Sequence, residues 1–232
     1  VLFRAAEVDF RLLPADGSEA AIAGNGRRCA MACLIYDGRI QNGRVVFRTP
    51  AGSRSCEVVE RRATEFDIMT GMGSPRLASD EIPFDDGRPH ERIIDYPISV
   101  GGKAQEISCL SVGNPHCDLF VDSFPARLER HQLGSQIESH PFFPKRTNVE
   151  FVHVLNRAEI EVLFWERGVG ETLSSGTGAC AAAVASMIKG LTDRRVNVRT
   201  ALGSLAVEWM PDGQILQTGP ATVVFKGTFL TP

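Results

Sequence analysis

A chain of 232 residues with 43% apolar and 23% charged residues has room for one large or two small domains with a sizeable core, and lies far from the composition of disordered segments. Its net charge of −3 supplies no field that would draw it to nucleic acid or to an anionic membrane. The longest largely apolar run, Ala179–Ile188, is too short to span a bilayer, and Arg4, Glu7, Asp9 and Arg11 do not read as a secretory signal. Cysteines stand singly at 29, 33, 56, 109, 117 and 180, with no CxxC pair and no zinc spacing. That pattern predicts reduced thiols in a cytoplasmic protein, each thiol a small buried hydrophobe, and no metal.

In chain order, the apolar run Val8–Leu13 predicts a strand. A polar turn leads to Gly24-Asn25-Gly26 and a helix ending at Gly38, with Cys29, Ala30, Cys33 and Leu34 expected on its core face. A hairpin follows at Gly52, preceded by Arg48-Thr49 and running into Cys56–Val59. Thr70–Pro83, with Gly, Ser and Pro spread through it, is expected to connect two domains. Ile107–Val112, Cys117–Val121 and Asn148–Leu155 read as strands, and Ser139–Thr147 as a surface loop.

From Ile160 the first pattern returns. A strand-like run, Ile160–Trp165, precedes Gly176-Thr177-Gly178 and a helix ending at Gly190, with Lys189 placed for the helix dipole. Arg199-Thr200 and Gly203-Ser204 repeat the hairpin of Arg48-Thr49 and Gly52-Ser53, and Leu205–Trp209 follows. Glu19 and Glu171 stand at the same distance before the two glycine motifs. Markers in one order imply an internal duplication. Two α+β domains are therefore expected, over residues 1–72 with 220–232 and over 73–219, with Ala221–Phe229 as a strand returning to the first. The first copy has only about a dozen residues before its strand, and about fifty residues of the first domain are expected to be missing from this sequence.

Ala15-Asp16-Gly17-Ser18-Glu19 followed by Gly24-Asn25-Gly26-x-Arg28-Cys29 resembles the first signature of the diaminopimelate epimerase family. Val112-Gly113-Asn114-Pro115-His116-Cys117 resembles that family's central motif. Asn148-Val149, Glu166-Arg167-Gly168-x-Gly170-Glu171-Thr172 and Gly176-Thr177-Gly178-Ala179-Cys180-Ala181 resemble its second signature, and Thr218-Gly219-Pro220-Ala221 its close. The resemblance implies two pseudo-symmetric α+β domains, each a small barrel-like sheet around a central helix, with the active site in the cleft between them. It also implies a cytoplasmic isomerase that needs no cofactor, takes a small amino acid as its partner, and allows a homodimer. An α-proton is removed on one face of the carbon and returned on the other, which requires two facing acid/base groups. The N–H groups at the two helix starts then bind the α-carboxylate.

By resemblance, the two bases stand immediately before the Gly-x-Gly motifs, at Ala23 and Ser175. Neither is the family's cysteine, so inversion of the α-carbon is expected to be impaired. Glu166 and His116 complete the expected catalytic set, and Gly24, Asn25, Gly26, Asn114, Asn148, Arg167, Gly176 and Thr177 the substrate contacts. Pro14 replaces a substrate-binding asparagine. Blander readings stand beside these. Ser175 is a favoured helix N-cap, Ala23 a small residue near a cleft, Asn114 and Asn148 turn formers, His116 a satisfied structural histidine, and Glu166 and Arg167 a solvated pair. Two other functions compete: a lyase or one-base isomerase using Ser175, and a non-catalytic protein that binds an amino acid.

Overall fold

The computed structural model of the chain describes residues 6–11, 24–41, 43–50 and 52–228. They fall into two compact units, Val1–Gly71 with Thr218–Pro232, and Met72–Gln217. The first unit runs β1 (Ala6–Asp9), α1 (Gly24–Tyr36), β2 (Arg44–Thr49), β3 (Gly52–Arg62) and β4 (Glu65–Gly73). The second continues as β5 (Ile93–Val100), β6 (Lys103–Ser111), β7 (Pro115–Phe120), α2 (Arg127–Glu138), β8 (Asn148–Asn156) and β9 (Glu159–Glu166). It closes with β10 (Gly170–Thr172), α3 (Gly176–Ile188), β11 (Arg195–Thr200) and β12 (Gly203–Trp209), and β13 (Ile215–Thr222) carries the chain back. The chain leaves the first unit at Gly71, inside β4 and within the segment Thr70–Pro83 expected to connect two domains. Among the described residues no helix is long and apolar enough to cross a membrane.

The two copies follow the same path. In the first unit the strand order is β1-β2-β3-β4-β13. β1 and β2 are parallel, joined through α1, and β2–β3 is a hairpin whose last pair is Thr49 with Gly52. In the second unit β9 and β11 are parallel, joined through α3, and the β11–β12 hairpin ends on Thr200 with Gly203. Gly52 and Gly203 have φ of +95° and +123°, conformations that an L side chain resists. Arg48 fixes the parallel register of the first copy through its bonds to Asp9, at 2.9 and 3.1 Å.

The copies differ in how they bury their helices. On α1 the inward residues are Met31, Ala32 and Ile35, packed with Val45, Phe47, Cys56, Phe66 and Ile68. Cys29 and Cys33, expected to face the core, are exposed. The inward stripe is rotated because Arg27 and Arg28 occupy it. Arg27 donates to the Gly71 carbonyl at 3.5 Å and Arg28 to the Pro220 carbonyl at 3.4 Å. α3, by contrast, is buried continuously from Gly178 to Ser186 and packs with residues of β4, β6, β8, β9, β11, β12 and β13. Gly38 and Gly190 end their helices with φ of +68° and +70°, as left-handed caps. Lys189 caps α3, and its amine pairs with Asp95.

In the second unit the strand order β12-β11-β9-β8-β7-β6-β5 places a second core on the far face of β7 and β8. There Cys117, Leu119, Val149 and Phe151 pack with Ile107, Ile137 and Phe143. Alternation along each strand then turns His116, Asp118, Glu150 and Val152 toward α3. α2 was not expected. It is the crossover between parallel β7 and β8. Its Gly134 lies so close to the Trp165 ring that a Cβ there would come within 2.8 Å. Glu138 accepts from Trp165 Nε1 at 2.8 Å and from the Gly168 backbone N–H at 2.9 Å, which holds the turn after β9. The segment expected as a surface loop, Ser139–Thr147, is pinned by the buried Phe143 and Thr147. The returning strand also begins earlier than expected and ends at Thr222, not Phe229, which lies outside the described residues. Alternation buries Ile215, Gln217, Gly219 and Ala221 and leaves Pro220 outward, where the missing N–H is tolerated.

Glu171 on β10 joins that strand to α2 by accepting from Arg130, His131 and Arg127. The Arg130 bond, then His131, lowers its pKa from 4.5 to about 2. Because the folded value lies below the ordinary one, its contribution to stability is complete above about pH 4.5 and is lost as pH falls through about 2. Glu171→Gln should therefore flatten the loss of stability between those two values. Urea midpoints measured across that range check this.

Candidate active site

The centre of the site is the start of α3. Ser175 is its N-cap, with extended backbone angles of −130° and 125°, and its hydroxyl accepts from the Gly178 N–H at 3.3 Å. The Ser175 carbonyl accepts from Ala179 at 3.0 Å. The N–H groups of Gly176 and Thr177 therefore have no partner within the helix. Gln217 on β13 donates to the Gly176 carbonyl at 2.6 Å and lies 3.2 Å from Cys180 Sγ, fixing the first turn from behind. Gly178 is required by contact: a Cβ there would stand 2.5 Å from Glu150 Oε1 and 2.9 Å from the Phe164 ring.

Four residues connect this helix start to the sheet. Asn114 Nδ2 donates to Thr177 Oγ1 at 3.3 Å. Asn114 Oδ1 lies 3.0 Å from His116 Nε2, and His116 Nδ1 lies 2.7 Å from Glu150 Oε1. His116 and Glu150 are almost wholly buried, with side chains 0% and 1% exposed. Burial lowers the His116 pKa to about 3, with Glu166 opposing and Arg167 assisting. Burial also pushes the carboxyls of Glu150 and Asp118 well above the usual range, and the two lie paired across β7 and β8. Both oxygens of Asp118 and Glu150 Oε2 have no hydrogen-bond partner among the described residues.

The remaining expected residues are placed as follows. Asn148 donates to the Pro115 carbonyl at 2.8 Å and accepts from the Arg167 N–H at 2.9 Å, bracing the His116 strand against the turn after β9. Glu166 accepts from Thr172 Oγ1 at 2.8 Å, and the exposed Arg167 reaches the Lys145 carbonyl at 2.9 Å. In the first unit Gly24 is buried, Asn25 is exposed, and Arg28 orients Asn25 by donating to its Oδ1 at 2.7 Å. Ala23, Pro14 and Glu19 lie outside the described residues. Direct hydrogen bonds thus join Asn114, His116 and Thr177, with Ser175 two residues before Thr177 on the same helix start. Sequence reasoning missed Glu150, Asp118 and Gln217. The available signal was an acidic residue at an inward position of Asn148–Leu155, in register with Val152.

Chains of known structure share this duplicated α+β fold. It matches a probable proline racemase from Agrobacterium radiobacter K84 with a TM-score of 0.69, at 15% identity, over 100% of this chain and 74% of that one. It also matches a hydroxyproline epimerase from Agrobacterium vitis with a TM-score of 0.66, at 15% identity, over 93% and 68%. Within that class of fold, the sequence is more specific. The diaminopimelate epimerase family model matches residues 108–224. The chain is 41% identical over 224 residues to a diaminopimelate epimerase from Pelotomaculum thermopropionicum, covering 97% of this chain and 79% of that relative. It is 40% identical over 226 residues to the one from Moorella thermoacetica, covering 97% and 80%. The chain belongs to the diaminopimelate epimerase family, a family of epimerase- and racemase-type isomerases.

Two variants test the local geometry. Ser175→Ala removes the cap and should cost about 1 kcal/mol. Gly178→Ala gains about 1 kcal/mol of helix propensity but forces an overlap costing about 1–3 kcal/mol, so a net loss of stability is expected. Denaturant unfolding of both variants measures these shifts, and an unchanged midpoint for Ser175→Ala would show that the cap contributes nothing.

Proposed function

We propose that this chain binds diaminopimelate through its α-carboxylate at the start of α3, and that it inverts the α-carbon only slowly, without a cofactor. The observation that carries the reading is the Ser175 geometry. A serine hydroxyl occupies the position where the resemblance places a thiol base, and it is engaged as the N-cap acceptor of Gly178. The free N–H groups of Gly176 and Thr177 at the positive end of a helix suit a carboxylate and the negative charge that develops as the α-proton leaves. Asn114 and Thr177 add polar groups at the same end. Two-base inversion needs a proton carrier on each face of the carbon. A serine hydroxyl is a far weaker acid than a thiol of pKa about 8.5, and alanine carries no proton.

A second reading is favoured by the same observation. A serine held as a cap, with its binding partners in place, also suits a protein that binds an amino acid and does not turn it over. A lyase or one-base isomerase using Ser175 is the third.

The readings separate in D₂O with LL- and meso-diaminopimelate. Slow α-proton exchange accompanied by inversion supports the first, binding without exchange the second, and release of ammonia, or inversion that retains the substrate's own α-proton, the third. General acid and base groups each contribute about 10²–10⁴-fold, so the Ala23→Cys, Ser175→Cys double variant should gain at least about 100-fold in exchange. An ordinary turnover of about 10 s⁻¹ in the unaltered chain would show that the bases lie elsewhere.

A further inference from the structure

The hydrogen bonds behind α3 have a direction, and we infer that Glu150 is a positioning residue that sets it, acting as a neutral acid that fixes the His116 tautomer and so leaves the Thr177 hydroxyl proton free to donate to an anionic ligand. Asn114 Nδ2 faces Thr177 Oγ1, and Asn114 Oδ1 faces His116 Nε2. An amide oxygen only accepts, so His116 Nε2 carries a proton. In the neutral imidazole the other nitrogen, Nδ1, is then an acceptor. Its partner, Glu150 Oε1 at 2.7 Å, must donate, and a carboxyl donates only when protonated.

The surroundings of Glu150 agree with a neutral acid. The side chain is 1% exposed, its second oxygen lacks a partner, and Asp118, equally buried, sits beside it in register. An ionised carboxylate in such a place lacks both solvation and a full set of donors. Glu166 adds a further negative influence, and only the Cys117 backbone N–H pulls the other way. His116 is held neutral by the same burial. The chain therefore runs from Glu150 to His116 Nδ1, from His116 Nε2 to Asn114 Oδ1, and from Asn114 Nδ2 to Thr177 Oγ1. Thr177 receives a hydrogen bond from the protein, and its own O–H is left to point elsewhere. It stands beside the N–H groups of Gly176 and itself, so one more donor is aimed at any anion bound there. The opposite tautomer would reverse every bond and turn the hydroxyl proton inward, against an anion. The ligand end of this inference rests on the carboxylate-binding role proposed above. The tautomer does not.

The first test is ¹⁵N NMR of histidine-labelled protein, with the His116 ring assigned by its loss in His116→Gln. The expected result is a neutral ring protonated at Nε2, retained in Glu150→Gln, whose amide N–H still donates to Nδ1. A ring protonated at Nδ1 alone overturns the inference, and this measurement needs no variant of Glu150 to fold. The second test is a double-mutant cycle on meso-diaminopimelate binding. Glu150→Leu and Thr177→Val should each weaken binding about tenfold, the size of one hydrogen bond to a charged group. Their combination should be no weaker than either alone, because both remove the same donated proton. Effects that multiply would show that Glu150 does not act through Thr177. If the unaltered chain fails to bind diaminopimelate, the proposed substrate is wrong, and the tautomer result still decides the inference on its own.

Discussion

Helix α3 is buried without a break from Gly178 to Ser186, and this enclosure sets the terms for the rest of the second unit. A helix that is apolar all round is one that can be buried on every side, and the run from Ala179 to Ala185 is apolar and small throughout. Small side chains let strands approach closely, and residues of β4, β6, β8, β9, β11, β12 and β13 do so. The cost falls at the helix ends, where backbone groups have no partner inside the helix and little water to turn to. Each such group must be matched by the protein or left for a ligand. At the start of α3 the Ser175 hydroxyl meets the first obligation by accepting from the Gly178 N–H. The N–H groups of Gly176 and Thr177 are what remains.

The same enclosure explains why polar residues on β7 and β8 carry so much consequence. His116, Asp118 and Glu150 point inward on strands whose other face is a second apolar core. In that setting ionisation is expensive, and hydrogen bonds between neutral groups must be directional to be satisfied. Gly178 reports how tightly the helix sits on Glu150, since there is no room for one more carbon between them. Asn148, Glu138 and Glu171 then brace the strands and turns that bring Asn114 and His116 to the helix start.

The duplication adds a contrast within one chain. Both copies use a parallel strand pair crossed by a glycine-led helix and followed by a hairpin. α3 is sealed by alanines, whereas α1 buries two arginines and leaves two cysteines exposed. Arg27 and Arg28 satisfy backbone carbonyls of β4 and β13, and Arg28 also holds Asn25. The equivalent work behind α3 is done by the neutral side chains of Gln217 and Asn114. One architecture has thus settled its helix starts with charge in one copy and without it in the other.

The sequence by itself determined the duplication, both glycine-led helices with their caps, the hairpins at Gly52 and Gly203, and the family. These are local matters, because a positive φ, a cap or an apolar period is written in a few adjacent residues. It also made plain that serine and alanine stand where thiols are expected, since that is read by position in a motif. Only the tertiary structure decided which face of α1 is inward, because an arginine is buried when distant carbonyls meet it, and Gly71 and Pro220 are far away in sequence. α2 was hidden because its N-terminus has no side-chain cap and only part of one face is buried. Glu150 was hidden for a deeper reason. A single acid in an apolar strand gains its meaning from His116 and Asp118 on β7 and Gly178 on α3, which the chain supplies from two other places.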